Sequence, residues 1–264
     1  MIRTSTGIWT VVYNAANRAV SFTSRNGNTI IECGYDYQGR RYMKKVTQNG
    51  TVASHERYLY RGYLQIAALD MLDNRNVLRT LLWDPLEPVA TRPLALVQGA
   101  SLYCYGMDFN KNVTEVFDAQ GNVAAAYDYS PYGQAASTGD LVQPVQWSSE
   151  MNDHELALVY YNYRYYNPKD GRWINRDPIT EQGGWNLYAF LGNSTQDQVD
   201  ALGLIGIFGL LGGALIDYGF QVTANYIQGK EESLDRYRLG LSYNFCSSRG
   251  CRNTWKCKNR EKYI

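Results

Sequence analysis

The chain has 264 residues, with 26 basic and 25 acidic side chains and a formal net charge of +1. This balance provides no global field of the kind that attracts nucleic acid or a membrane surface, so we expect neither as a general partner. The unusual feature is the presence of 23 Tyr against 7 Phe. Tyr suits pleated, half-hydrated surfaces, because its ring packs while its hydroxyl finds water or a partner. The composition therefore predicts a mainly β protein.

Residues 1–159 are predicted to form short strands joined by hairpin turns. A unit of Tyr or Phe, then Asp or Asn, then a short polar stretch with Gly or Asn, recurs along this region. Such units predict hairpins that bury their faces only against neighbouring copies. The copies span residues 13–18, 35–40, 117–122 and 127–133. Residues 134–146 are small and polar, and we expect them to be an exposed connection.

No local motif for cofactor or metal chemistry accompanies these strands. The sequence has no phosphate-binding loop and no Ser-His-Asp elbow. Cys246, Cys251 and Cys257 lack a fourth ligand at the spacing of a zinc site. We therefore expect neither cofactor nor metal. The N-terminus has no apolar region or cleavage signature of a signal peptide, so we expect synthesis in the cytoplasm, with export or cell-surface display left open.

Residues 160–204 differ from the rest of the chain in their density of aromatic residues and of Gly-Arg and Asp-Pro steps. In one register they contain Arg164-Tyr165-Tyr166, Pro168, Gly171-Arg172-Trp173, Arg176-Asp177-Pro178-Ile179, Gly183-Gly184, Asn186-Leu187-Tyr188, Asn193, Asp200 and Gly203-Leu204. This series resembles the RHS repeat-associated core, the segment that ends the shell of bacterial RHS/YD-repeat proteins. The Tyr-Asp units upstream extend the resemblance more weakly toward the N-terminus.

The resemblance implies a YD-repeat β-hairpin spiral, here part of a hollow RHS cocoon. Residues 1–159 would supply the sheet, residues 160–204 the plug, and residues 205–264 a short, partly helical, variable tail. The tail would be the enclosed passenger, often a toxin in this family. An upstream RHS chain or a component of a secretion system is the further partner that the resemblance implies.

In family members that cleave themselves, the core acts as an intramolecular aspartyl protease that cuts just after its final Leu. Carried over to this chain, the resemblance implies Arg176, Asp177 and Asp200 as catalytic residues. The scissile bond would join Leu204 to Ile205. The chemistry is consistent, because peptide hydrolysis needs one carboxylate to activate water and one protonated acid to assist the leaving amine.

A purely structural plug is the alternative to a protease. Asp-Pro steps begin turns through local hydrogen bonds, without any catalytic role. The aromatic residues of a plug can likewise serve only to pack its core. The chain also departs from the family pattern at Asn167, Thr180 and Ala201, which stand in place of Asp, Gly and Pro. Ala201 matters most, because Pro would fix φ close to the cut.

The tail opens with an apolar run, residues 201–216, that carries no charge. It is shorter than the 18 to 20 residues or so that span a bilayer, so we favour a buried segment inside the shell over membrane contact. Two functions are predicted from these features. The first is a shell module that encloses and releases a passenger in toxin delivery or contact-dependent competition. The second is a non-enzymatic cell-surface module whose Tyr-rich sheets bind a carbohydrate or a protein.

Overall fold

The computed structural model describes residues 2–85, 92–179, 185–195, 198–200, 203 and 207–208. One antiparallel sheet of 13 strands dominates these residues, and every strand pairs with the next strand in the sequence. The strands are β1 (Ile2–Ser5), β2 (Trp9–Tyr13), β3 (Ala19–Ser24), β4 (Thr29–Tyr35), β5 (Arg41–Gln48), β6 (Thr51–Arg61), β7 (Leu64–Asp70), β8 (Val77–Trp83), β9 (Pro93–Gln98), β10 (Ser101–Met107), β11 (Val113–Phe117), β12 (Val123–Tyr129) and β13 (Ala135–Thr138). The prediction of a mainly β chain built from successive hairpins is confirmed.

Five turns of this sheet share one hydrogen-bond pattern, which explains the recurring unit in the sequence. The first residue of each turn donates its N–H to the carbonyl four residues later, and its side-chain oxygen accepts the N–H of that same later residue. The fourth residue of each turn has a positive φ. The first residues are Asn14, Asp36, Asp108, Asp118 and Ser130. A short side-chain acceptor and a residue that tolerates positive φ are therefore what the turn requires.

The last predicted copy of the unit, residues 127–133, is wrong in its detail. Asp128 lies inside β12, opposite Ala136 of β13, and takes no part in the turn. Ser130 accepts the turn hydrogen bond instead, at 3.0 Å from the backbone nitrogen of Gln134. A further turn of the same type, which the sequence pattern did not predict, begins at Asp108.

A second, four-stranded antiparallel sheet follows and contains the first strands of the segment predicted to be the plug. Its strands are β14 (Met151–Asp153), β15 (Leu158–Tyr161), β16 (Arg164–Asn167) and β17 (Arg172–Trp173). Short 3-10 helices lie at Trp147–Ser149 and Leu191–Asn193, and β18 (Gln198–Val199) pairs with β19 (Ile207–Phe208). The sheet thus begins at Met151, ahead of the predicted boundary at residue 160.

The small sheet packs against one face of the large sheet. Phe22 of β3 meets the ring of Tyr165 edge-on, with centroids 5.3 Å apart. The backbone N–H of Arg41 donates to the Tyr160 hydroxyl at 2.8 Å, and the Tyr13 hydroxyl donates to the Ile174 carbonyl at 3.1 Å. Tyr residues thus bury their rings in the shared core while their hydroxyls satisfy backbone groups.

Part of the connection at residues 134–146 is buried, so the prediction that all of it is exposed was wrong. Residues 134–140 are exposed, but Gln143, Val145 and Gln146 lie in the core. The Gln143 amide is satisfied locally, since it donates to the Val145 carbonyl at 2.6 Å and accepts the Val145 N–H at 2.7 Å. A polar side chain can be buried when its hydrogen bonds are met in this way.

The predicted tail, residues 205–264, lies outside the described residues except for β19. The apolar run at residues 201–216 is likewise described only at residues 203 and 207–208. Within the described part of the chain, no helix combines the length and apolar character needed to cross a membrane.

Candidate active site

Asp177 and Asp200 both contact the guanidinium of Arg164. Nη1 of Arg164 lies 2.8 Å from Oδ2 of Asp177, and Nη2 lies 3.5 Å from Oδ2 of Asp200. The second oxygen of Asp177 accepts the Ile179 N–H at 3.0 Å. The two carboxylates that the sequence singled out are therefore brought together, with one cation between them.

Arg164 is deeply buried, with only 3 % of its side chain exposed. Its guanidinium stacks 4.0 Å above the ring centroid of Trp173, an arrangement in which the ring quadrupole attracts the cation. Burial lowers the pKa of Arg164, although Asp200 and Asp177 act in the opposite direction. The fold accepts this buried cation because two carboxylates and an aromatic face surround it.

The backbone just before the predicted cut is fixed by the same groups. Nε of Arg164 donates to the Gly203 carbonyl at 2.5 Å, and the Gly203 N–H donates to Oδ1 of Asp200 at 2.7 Å. Gly203 has φ +73°, and a Cβ at this position would lie 2.8 Å from the Tyr161 carbonyl oxygen. Only Gly therefore allows the chain to approach Arg164 so closely here.

A third carboxyl group, Glu150, lies close to this cluster. Glu150 is buried and caps the C-terminal end of the first 3-10 helix. Burial raises the pKa of Glu150 well above its usual value, and the charge of Asp200 raises it further. Glu150 and Asp200 also raise the pKa of the buried Tyr161, after the larger effect of burial itself. The site thus combines one carboxyl whose pKa is raised by burial and by Asp200 with two carboxylates that face a cation.

An aromatic cluster encloses this side of the site and excludes water from it. Tyr161 packs edge-on against Trp173, with centroids 5.2 Å apart, and Tyr166 stacks on Phe190 at 3.8 Å. Trp147 completes the cluster of rings. Electrostatic interactions are stronger in such a dry environment than in water.

Arg176, which the family resemblance implied as a catalytic residue beside Asp177, is exposed. Its backbone carbonyl accepts a hydrogen bond from Nδ2 of Asn17 at 2.9 Å, which ties the plug to the first turn of the large sheet. The cation that pairs with Asp177 is Arg164 instead. Leu204 and Ile205 lie outside the described residues, and no group of three or more His, Cys, Asp or Glu among the described residues is arranged to hold a metal ion.

Sequence reasoning missed Arg164 and Glu150 as functional residues. Arg164 was matched to the family pattern. Every residue of β15 and β16 except Asn167 is buried, so no alternation of buried and exposed residues distinguishes the Arg164 side chain. Glu150 stands in a polar stretch and carries no periodic signal at all. Contacts across the small sheet, rather than spacing along the chain, reveal both.

The chain is similar over part of its length to known proteins. No family model matches it. It is 38 % identical over 92 residues to the uncharacterised protein YlbH of Escherichia coli K12, which covers 34 % of this chain and 39 % of YlbH. It is 36 % identical over 102 residues to double-stranded DNA deaminase toxin A of Burkholderia cenocepacia, which covers 36 % of this chain and 7 % of the toxin.

The fold is similar to that of the solved TcdB2-TccC3-Cdc42 complex. The TM-score is 0.60 at 20 % identity, and the match covers 76 % of this chain and 10 % of the solved chain. At that identity the likeness concerns the fold alone. The chain spans less than half of the length of these relatives and of the solved chain.

Proposed function

Because the chain has the β-spiral fold of the RHS-repeat shell proteins, as its sequence resemblance predicted, we propose that it closes such a shell around a C-terminal passenger and releases that passenger by cutting itself. Its relatives and structural neighbours are associated with toxin delivery. The large sheet forms the wall, the small sheet and the residues that follow it up to residue 204 form the plug, and residues 205–264 are the passenger. Cleavage occurs between Leu204 and Ile205.

The observation that carries this proposal is the contact of Arg164 with Asp177, Asp200 and the Gly203 carbonyl. These interactions hold the backbone one residue before the scissile bond against two carboxylates. Proximity and orientation of this kind account for a large part of the rate enhancement in intramolecular reactions. A plug that only filled space would not require two buried carboxylates on one buried cation, since apolar residues of the same volume are often equally stable.

The proposed step is hydrolysis of the Leu204–Ile205 amide. One of the two Asp carboxylates removes a proton from a water molecule, whose oxygen attacks the Leu204 carbonyl carbon. Glu150, whose pKa burial and then Asp200 raise well above its usual value, donates a proton to the Ile205 nitrogen as the C–N bond breaks. The products are a Leu204 carboxylate and an Ile205 amine, and one water molecule is consumed. Arg164 positions the backbone and balances the charge of the carboxylates.

Mass spectrometry of the purified full chain tests this proposal directly. We expect wild type to yield two fragments, residues 1–204 and 205–264, in place of the intact 30.0 kDa chain. Asp177→Asn and Asp200→Asn each remove one carboxylate and are expected to leave the chain whole. Asp170→Asn is the matched control, because Asp170 is an exposed Asp of the same segment, and its side chain accepts a hydrogen bond from Nδ2 of Asn167 at 2.8 Å.

Asp170→Asn should cut like wild type. An intact wild-type chain, or cleavage that survives both Asp177→Asn and Asp200→Asn, would refute autoproteolysis by this site. The intact result would leave the segment as a structural plug, the alternative that the sequence also allows.

A further inference from the structure

The β2–β3 turn, residues 14–18, lies against the backbone that leads into two residues of the candidate active site. It contacts the segment just before Asp177 and the turn just before Arg164. These contacts join residues that are 159 and 144 positions apart in the chain. The first complete hairpin turn of the large sheet therefore touches the plug at the two points from which Asp177 and Arg164 extend.

Reciprocal hydrogen bonds hold the segment before Asp177. Nδ2 of Asn17 donates to the Arg176 carbonyl at 2.9 Å, and Nδ2 of Asn175 donates to the Asn17 carbonyl at 3.0 Å. Residues 174–176 form neither strand nor helix, so no ladder of their own fixes their backbone. The turn therefore supplies hydrogen bonds that the segment does not obtain from regular secondary structure.

The position of Asp177 is fixed from two sides. On one side its backbone N–H donates to the Leu187 carbonyl within the plug at 3.0 Å. On the other side the Tyr13 hydroxyl, at the end of β2, donates to the Ile174 carbonyl at 3.1 Å. The large sheet thus contributes one of the two supports of the backbone that carries this carboxylate.

Arg18 holds the turn between β15 and β16 in a similar way. Its Nη1 donates to the Asn162 carbonyl at 2.8 Å, and its guanidinium carbon lies 4.4 Å from the ring centroid of Tyr163. A Cβ at Gly39 would overlap the Arg18 guanidinium, so the β4–β5 turn leaves space for it. Arg18 therefore fixes the start of β16, whose first residue is Arg164.

We propose that Asn17 and Arg18 are positioning residues for self-cleavage. This role rests on the proposed function. Asn17 places the backbone that carries Asp177, and Arg18 places the turn from which Arg164 extends. Because a displacement of about 1 Å at a catalytic group can slow a reaction about 100-fold, the chain cuts efficiently only when this hairpin is docked on the plug. Release of the passenger is thereby coupled to closure of the wall.

Asn17→Gly separates positioning from a merely structural role in the turn. Asn17 is the fourth residue of its turn and has φ +58°. The equivalent residues of two other turns of this type are Gly39 and Gly121, which also have positive φ. Asn17→Gly therefore keeps the backbone of the turn and removes only the amide that contacts the plug. If Asn17 served the turn alone, this variant would cut like wild type.

Cell-free synthesis of the full chain, with the cut fraction followed over time on a gel, measures the rate of self-cleavage. We expect Asn17→Gly to cut about three- to tenfold more slowly than wild type, the rate equivalent of one hydrogen bond. Arg18→Met should also cut more slowly, because it loses the bond to Asn162. Asn49→Gly is the matched control and should cut like wild type, since Asn49 is an exposed Asn with φ +50° in the β5–β6 turn, at the opposite end of the sheet.

The outcomes separate this role from self-cleavage itself. An uncut wild type would overturn the proposed function and the positioning role with it. Equal rates for a cutting wild type and a folded Asn17→Gly would overturn the positioning role and leave self-cleavage standing, as would equal slowing by Asn49→Gly. Urea unfolding of each variant combined with Asp177→Asn, which keeps the chain whole, shows whether the variant folds. If Asn17→Gly does not fold, the rate of Arg18→Met decides in the same way.

Discussion

Replacement of Arg164 by Met should destabilise the folded chain strongly, because it leaves two carboxylates without their cation. Asp200 is 3 % exposed and Asp177 has 9 % of its side chain exposed. Removal of one partner of a buried ion pair typically costs about 3–5 kcal/mol, since the remaining charge stays buried. The variant also loses the 2.5 Å hydrogen bond to the Gly203 carbonyl. We therefore expect Arg164→Met to lower the free energy of unfolding at pH 7 by about 3–5 kcal/mol.

The effect should depend on pH with a definite sign. Without Arg164 the pKa of a buried carboxyl rises above its unfolded value of about 3.9, because burial disfavours the charged form. Such a group reduces stability above its unfolded pKa and has no effect well below it, where both states are protonated. The difference between Arg164→Met and wild type should therefore shrink as pH falls from 7 toward about 3.5.

Urea unfolding of the uncut chain, followed by Trp fluorescence, measures both quantities. Arg176→Met is the matched control, because Arg176 is an exposed Arg next to Asp177 in the sequence. Surface substitutions of this kind usually change stability by no more than about 0.5 kcal/mol. Equal destabilisation by the two variants, or a loss below about 1 kcal/mol for Arg164→Met, would refute the assignment of the buried cation.

Two carboxyl groups should show opposite pH behaviour in the same assay. Glu150→Gln should stabilise the chain at pH 7, because burial and then Asp200 raise the pKa of Glu150 above its unfolded value. The gain should disappear as pH falls well below about 4, where Glu150 is protonated in both states, and a gain independent of pH would contradict this. Asp153→Asn should destabilise the chain by about 3–5 kcal/mol at pH 7, because Lys44 and Arg41 outweigh burial and lower the pKa of Asp153. That loss should fade as pH falls below about 4, the unfolded pKa of Asp, whereas a loss that grows in acid would refute the pairing.

Much of the large sheet follows from local sequence. Asp36 and Asp118 each bond to backbone N–H groups two and four residues ahead, and Gly39 and Gly121 supply the positive φ that follows. All of these interactions lie within five residues, so spacing along the chain reveals them. Once each turn is fixed, the next strand can only return beside the previous one, and the sheet order follows.

The sequence pattern also singled out residues 160–204 and two of their carboxylates, Asp177 and Asp200, which the structure brings to one guanidinium. The sequence pattern could not show that Arg164 is the cation that pairs with these carboxylates. Arg176 is adjacent to Asp177 in the chain, but the backbone directs that side chain to the surface. Arg164 reaches both carboxylates from β16, and it contacts Gly203 across 39 residues of chain.

The sequence alone therefore determined the succession of strands and turns, the family resemblance and the pair of Asp residues. Each of these depends on patterns of residues that are close together in the chain. Only the tertiary structure decided the burial of Glu150, the contact of Asn17 with the Arg176 carbonyl and the choice of Arg164 over Arg176. Burial and ion pairing depend on which surfaces meet when the small sheet packs on the large one. The physical reason is that desolvation is a property of the packed site and has no signature in local spacing.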